Sequence, residues 1–328
     1  MSILYRIAPA ILLFFFAPLV AEFVLGDLTF AQIGAVIVLA PLYGGGAILI
    51  REIMCRTGRG WPTFLFLAFA YALLEEALLT QSLFNPDYLH LRLIDYGFVP
   101  ALSTAIPWAV FVLTIHIVWS LAVPTAVIEA AFPARQRIPW LKLPGLLIVG
   151  LLFTAGALLT LRFSLSQTEF RASPVQMFTS ALLVLGSVTI AFFAFPRRDK
   201  PAADSSRRPV HPAIVGAAVL AAGSVFLLTN SLGRGHLPWP ATASLEVAIV
   251  AVSLAVFAWA KNHAPWTAVH SWAAGMGGVL CYAWLGYMVD RSLHGPGDAL
   301  AHSVFVAAAL VIVAWTGSRA IGRRLAEN

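Results

Sequence analysis

Apolar residues run along this chain in long blocks, interrupted by short polar clusters. A helix needs roughly 20 apolar residues to cross a bilayer core about 30 Å thick. That window gives ten segments, at 7–25, 29–50, 61–84, 102–131, 144–161, 174–195, 212–232, 243–260, 267–289 and 299–318. Their edges carry interfacial aromatic and helix-start signals in Trp61-Pro62, Pro107-Trp108, Trp239-Pro240 and Pro265-Trp266. The fourth segment is long and holds Pro124, which predicts a kink or tilt. The most polar stretch, 196–212, reads as a Pro-, Ser- and Arg-rich linker. It divides a six-span region, 1–195, from a four-span region, 213–328. The glycine runs Gly44-Gly45-Gly46 and Gly275-Met276-Gly277-Gly278 lie within spans and predict close helix packing.

Composition agrees with this pattern. Of the 328 residues 60% are hydrophobic and 11% charged, against about 25% charged in soluble domains. Mean hydropathy is +0.85. An ordinary cytosolic enzyme, a disordered chain and a nucleic-acid binder are excluded. The expected fold is an all-α, polytopic transmembrane helix bundle of about ten spans. Its lasting partner is the lipid bilayer, in a cell membrane of the bacterial inner-membrane kind.

The net charge of +6 orients the bundle. Sixteen Lys and Arg fall on one side of the ten spans and five on the other. Basic loops stay cytoplasmic, so both termini are expected there. Nothing in the two cysteines, Cys55 and Cys281, points to a disulfide framework or a metal-binding pair.

Most of the fifteen acidic residues fall in loops or at helix ends. Glu22 ends span one, where it is expected to reach water. Arg51, Glu52 and Glu129 end spans two and four, where snorkelling accounts for them. Glu75 and Glu76, in YALLEEALLTQSLF, are different. With the span ending at Phe84, Glu76 lies about 12 Å deep. Two adjacent carboxylates at that depth cannot both be ionised cheaply, so a proton or a cationic partner is required. His116 is eight residues past Trp108, again about 12 Å deep. The three are the candidate site, with the carboxylates as general acid or base.

A glutamate pair in one membrane helix, followed some forty residues later by a histidine in the next, resembles the CAAX-protease and bacteriocin-processing (CPBP) intramembrane proteases. That family's first motif is Glu-Glu-x-x-x-Arg; here Thr80 follows Glu75-Glu76 at the arginine position. Its second is Phe-x-x-x-His; here Val112 precedes His116 and Phe111 is adjacent. No histidine occurs between His116 and His211, so His302 is the candidate for the family's third element. The resemblance covers spans three and four. It implies a hydrolase, an endopeptidase in which Glu75 or Glu76 activates water and His116 assists, acting on a membrane-bound peptide. A divalent metal such as zinc, held by Glu75, Glu76 and His116 with His302 as a fourth ligand, is compatible with this set and not required by it. Two other readings compete: a proton- or cation-coupled transporter or permease, and a non-catalytic scaffold or pseudoenzyme.

Overall fold

The computed structural model describes residues 3–195, 197, 207–295 and 299–327. The protein is 80% helical, an all-α polytopic bundle. Among the described residues, ten helices are long and apolar enough to cross a membrane. They are Arg6–Val24, Phe30–Arg56, Trp61–Leu79, Ile106–Ala130, Leu143–Gln167, Pro174–Phe193, Pro212–His236, Trp239–His263, Ala268–His294 and Ala299–Gly322, called spans one to ten below. Most of the linker at 196–212 lies outside the described residues.

Spans one to four and span nine supply most of the core, while spans five to eight are exposed along most of their length. Small residues allow the central helices to close up. A Cβ built on Gly44 would sit 2.1 Å from the carbonyl oxygen of Phe14, so spans one and two touch backbone to backbone there. Gly278 faces Val123 of span four just as closely, at 2.4 Å. Such contacts draw on van der Waals packing, which drives helix association where lipid supplies no hydrophobic gain. One turn from Gly278, the rings of Trp119 and Tyr282 stack with centroids 5.0 Å apart. The Trp119 indole N–H donates to Gly278 O at 2.9 Å.

Several spans run a few residues longer than expected, and two boundaries near the candidate site fall short of expectation. Span three ends at Leu79 rather than Phe84. Thr80, Gln81, Ser82 and Asn85 follow as irregular but buried chain, with Gln81 at φ 57°. Their polar groups find partners inside the protein. Ser164 of span five donates to Thr80 O at 2.7 Å, and Ala172 N donates to the Gln81 side chain at 2.7 Å. Non-helical backbone at membrane depth is tolerated only when protein covers it in this way. Span four starts at Ile106, because the preceding residues form a hairpin pairing Phe98 with Ala105 and Val99 with Thr104.

Snorkelling does not describe the other end of spans two and four. Arg51 is fully buried. Its guanidinium pairs with Glu129 at 2.9 Å and Glu52 at 3.3 Å. It also donates to the carbonyls of Ile138, Arg135 and Gln136, and lies 3.7 Å over the Trp140 ring. One residue thus fastens the 132–141 loop to spans two and four.

Among the described residues, four spans each contain a π-helical segment: Leu19–Val24, Ala40–Gly44, Leu74–Leu79 and His116–Ala122. Local chemistry accounts for these departures. Pro18, Pro41 and Pro124 lack the N–H that a regular helix would use. In span three, Thr80 N instead donates five residues back to Glu75 O at 2.8 Å, and its hydroxyl donates to the same carbonyl. A π turn adds a residue and rotates the remainder of the helix about its axis. Such turns are often found at functional sites.

Candidate functional site

Each π segment delivers a polar side chain to one place. Leu19–Val24 carries Glu22, Ala40–Gly44 carries Tyr43, Leu74–Leu79 carries Glu75 and Glu76, and His116–Ala122 carries His116 and Ser120. Glu75, Glu76, His116, Tyr43 and Ser120 are all buried.

The structure brings Glu75, Glu76 and His116 together. His116 Nε2 lies 2.8 Å from Glu76 Oε1, and its Nδ1 lies 3.4 Å from Glu75 Oε2. One ligand atom from each of the three falls within 4.8 Å of the others. The depths match because spans three and four run antiparallel and pack along their lengths.

Outer partners hold these side chains from behind. Glu76 Oε2 accepts hydrogen bonds from the hydroxyls of Ser82 and Thr80. His116 Nδ1 meets Ser120 Oγ at 3.2 Å, one turn along. The Tyr43 ring stacks on the imidazole, 5.9 Å between centroids and 10° between planes. Tyr43 also interacts with Glu22 and Glu75, and Tyr71 with Glu75. Among the described residues, Glu75 Oε2 has no hydrogen-bond partner of good geometry.

Glu22 does not simply end span one in water. It is half-buried and interacts electrostatically with His116 and Glu76. Three carboxylates therefore gather around one imidazole, and both Glu22 and Glu75 interact with His116. Asp27, just beyond span one, extends this acidic character toward the surface. Burial pushes its carboxyl up to about 8, with the charge of Glu22 adding to the effect.

His302 is not brought to the three. It lies outside the set of mutually close ligand atoms. Instead it packs edge-on against Tyr287, 4.7 Å between centroids, and against Gly286. Its helix starts at Ala299, so its depth suits the site, but its ring lies against Gly286, where spans one and nine meet. Sequence position gives depth and does not give azimuth.

Glu246 was hidden among the helix-end acids. It stands inside span eight, fully buried, with one oxygen accepting from Asn230 Nδ2 of span seven at 2.9 Å. The signal for it was available, since it lies seven residues past the interfacial Trp239.

The chain belongs to an uncharacterised membrane protein family, whose model matches residues 11–322. No curated protein and no solved structure matches it significantly. The family is that of an integral membrane protein. The match does not support membership of the CPBP family, which rests on the likeness of spans three and four alone.

Proposed function

We propose that this member of an uncharacterised membrane protein family holds a divalent cation with Glu75, Glu76 and His116, and activates water there for hydrolysis. The observation that carries this reading is the outer shell. Ser82 and Thr80 hold one oxygen of Glu76, Ser120 meets one nitrogen of His116, and the opposite atoms face each other. Metal-binding histidines and carboxylates are oriented by such second contacts. One imidazole and two carboxylates suit zinc or a similar first-row ion. One donor atom from each of the three lies within 4.8 Å of the others, against roughly 3.3 Å between tetrahedral ligands about 2.0 Å from a metal.

A divalent cation there would make a bound water acidic enough to lose its proton near neutral pH. Glu75 supplies the proton acceptor through Oε2. His116, steadied by Ser120 and Tyr43, shares the charge that develops. The substrate class proposed is a membrane-embedded peptide, in a bacterial inner membrane, on the likeness of spans three and four to the CPBP motifs.

The test is equilibrium dialysis of the purified protein against zinc, manganese and cobalt, followed by elemental analysis. One ion per chain is expected, lost in Glu76→Gln and His116→Ala with helical content unchanged. A wild-type protein that binds none of these ions overturns the metal reading. Cleavage of membrane-embedded peptides that survives in both Glu75→Gln and Glu76→Gln overturns the hydrolytic one.

The third carboxylate, Glu22, favours a second reading. Three acids on one histidine, with Asp27 toward the surface, make a site for proton or cation passage. Uptake into liposomes that depends on pH and on Glu76, without cleavage, would select this permease reading over the hydrolase.

A further inference from the structure

Spans seven and eight face lipid along most of their length, and the carboxyl of Glu246 is enclosed between them. Glu246 lies about 10 Å along the helix from Trp239. Its Oε1 accepts one hydrogen bond, from the neutral amide of Asn230. Its Oε2 is buried and, among the described residues, has no hydrogen-bond partner. One turn toward Trp239, Thr242 is also fully buried, and its hydroxyl meets the Tyr96 hydroxyl at 2.7 Å. Tyr96 donates onward to Leu237 O. Gly233 lets the two spans close over this end, since a Cβ there would sit 2.5 Å from Thr242 Oγ1.

Among the described residues, the surroundings offer no countercharge. The elements packed against span eight are span seven and the first part of span four. The latter, Ile106–Ile115, contains no titratable residue. Span seven brings Arg234 and His236, both exposed, and Arg234 is turned to Leu93 O at 2.9 Å. Tyr96 is the remaining titratable neighbour, through Thr242. Among the described residues, Asn230 is the group that donates to the carboxylate. An ionised carboxylate enclosed among lipid-facing helices with one amide donor is costly. A proton removes that cost, and the acid then offers its O–H to the space around the second oxygen.

We propose that Glu246, held by Asn230, is a proton-binding site separate from the Glu75, Glu76 and His116 centre. In the resting fold it is a neutral carboxylic acid. Its proton exchanges when spans seven and eight part at the Thr242–Tyr96 end.

Infrared difference spectroscopy of the full-length protein, wild type minus Glu246→Gln, reads the carboxyl directly. The expected spectrum contains the C=O band of a neutral carboxylic acid, which shifts in deuterium oxide and persists in the Glu76→Gln background. Persistence there separates this site from the hydrolase proposal. A carboxylate doublet in place of that band at neutral pH overturns the proposal. Dicyclohexylcarbodiimide gives a second readout. The carboxyl proton passes to a carbodiimide nitrogen and the carboxyl oxygen adds to the central carbon, with no leaving group. The adduct then rearranges to a stable N-acylurea. Modification at Glu246 is expected to fall as pH rises and to be indifferent to sodium. Suppression by sodium at fixed pH would mean that a metal cation occupies the site, and would overturn the proton assignment.

Discussion

Replacing Arg51 with alanine should destabilise the bundle by about 3–5 kcal/mol, the usual cost of removing one partner from a buried ion pair. Geometry places Arg51 firmly in that class. The side chain is fully buried, pairs with Glu129 at 2.9 Å and Glu52 at 3.3 Å, and holds three loop carbonyls. The losses are unequal. Glu52 retains Trp140 N at 2.6 Å and Arg56 at 3.3 Å, whereas Glu129 gives up its 2.9 Å pairing. The loop carbonyls can turn to water once the loop lifts, so their bonds are not added to the total. Lysine keeps the charge but cannot reach a carboxylate and three carbonyls at once. Arg51→Lys should therefore lose about 1.5–3 kcal/mol, the worth of one charged hydrogen bond. Intrinsic tryptophan fluorescence during unfolding of detergent-solubilised protein measures both variants, and limited proteolysis within 132–141 reports whether the loop is released. An alanine variant that loses less than about 1 kcal/mol, within the range of ordinary surface changes, would show that Arg51 is not the fastening described.

Two other outcomes concern the centre and its surroundings. Ser82→Ala removes one of the two hydroxyls behind Glu76 Oε2; cation affinity, read by titration, should weaken by about 10–100-fold, and an unchanged affinity would refute the orienting role of the outer shell. Asp27 rises from 3.8 to about 8 on folding, so the folded state keeps a proton that the unfolded chain releases. Its contribution to stability is full below the lower value and lost as pH climbs toward the upper one. Asp27→Asn should flatten that decline, and unfolding midpoints of mutant and wild type that run parallel between those pH values would contradict it.

The ten spans were legible because the bilayer sets a length and an apolarity that each helix must meet by itself. That Glu75, Glu76 and His116 meet was legible for a related reason: charge within an apolar span is costly, and counting from Phe84 and Trp108 sets the three at one level. The same count fails where a side chain's direction matters more than its depth. His302 has the right depth and faces Tyr287. Glu22 looks terminal, yet the π segment of span one turns it toward Tyr43 and His116. Arg51 looks free to snorkel, and only the return of the 132–141 loop encloses it. Glu246 carried a readable signal, but its enclosure depends on how closely Gly233 lets spans seven and eight approach.

By itself, the sequence determined that this is a membrane bundle and how many apolar helices it has to cross with. These are properties of each helix against a common solvent. The tertiary structure decided which side chains meet. Among the described residues, four spans each contain a π segment, at positions tied to Pro18, Pro41, Thr80 and Pro124, and the resulting rotations aim Glu22, Tyr43, Glu75, Glu76 and His116 at one point. Such a rotation persists only when neighbouring helices satisfy the groups that it frees, so it belongs to the packed assembly and to no single segment of the chain.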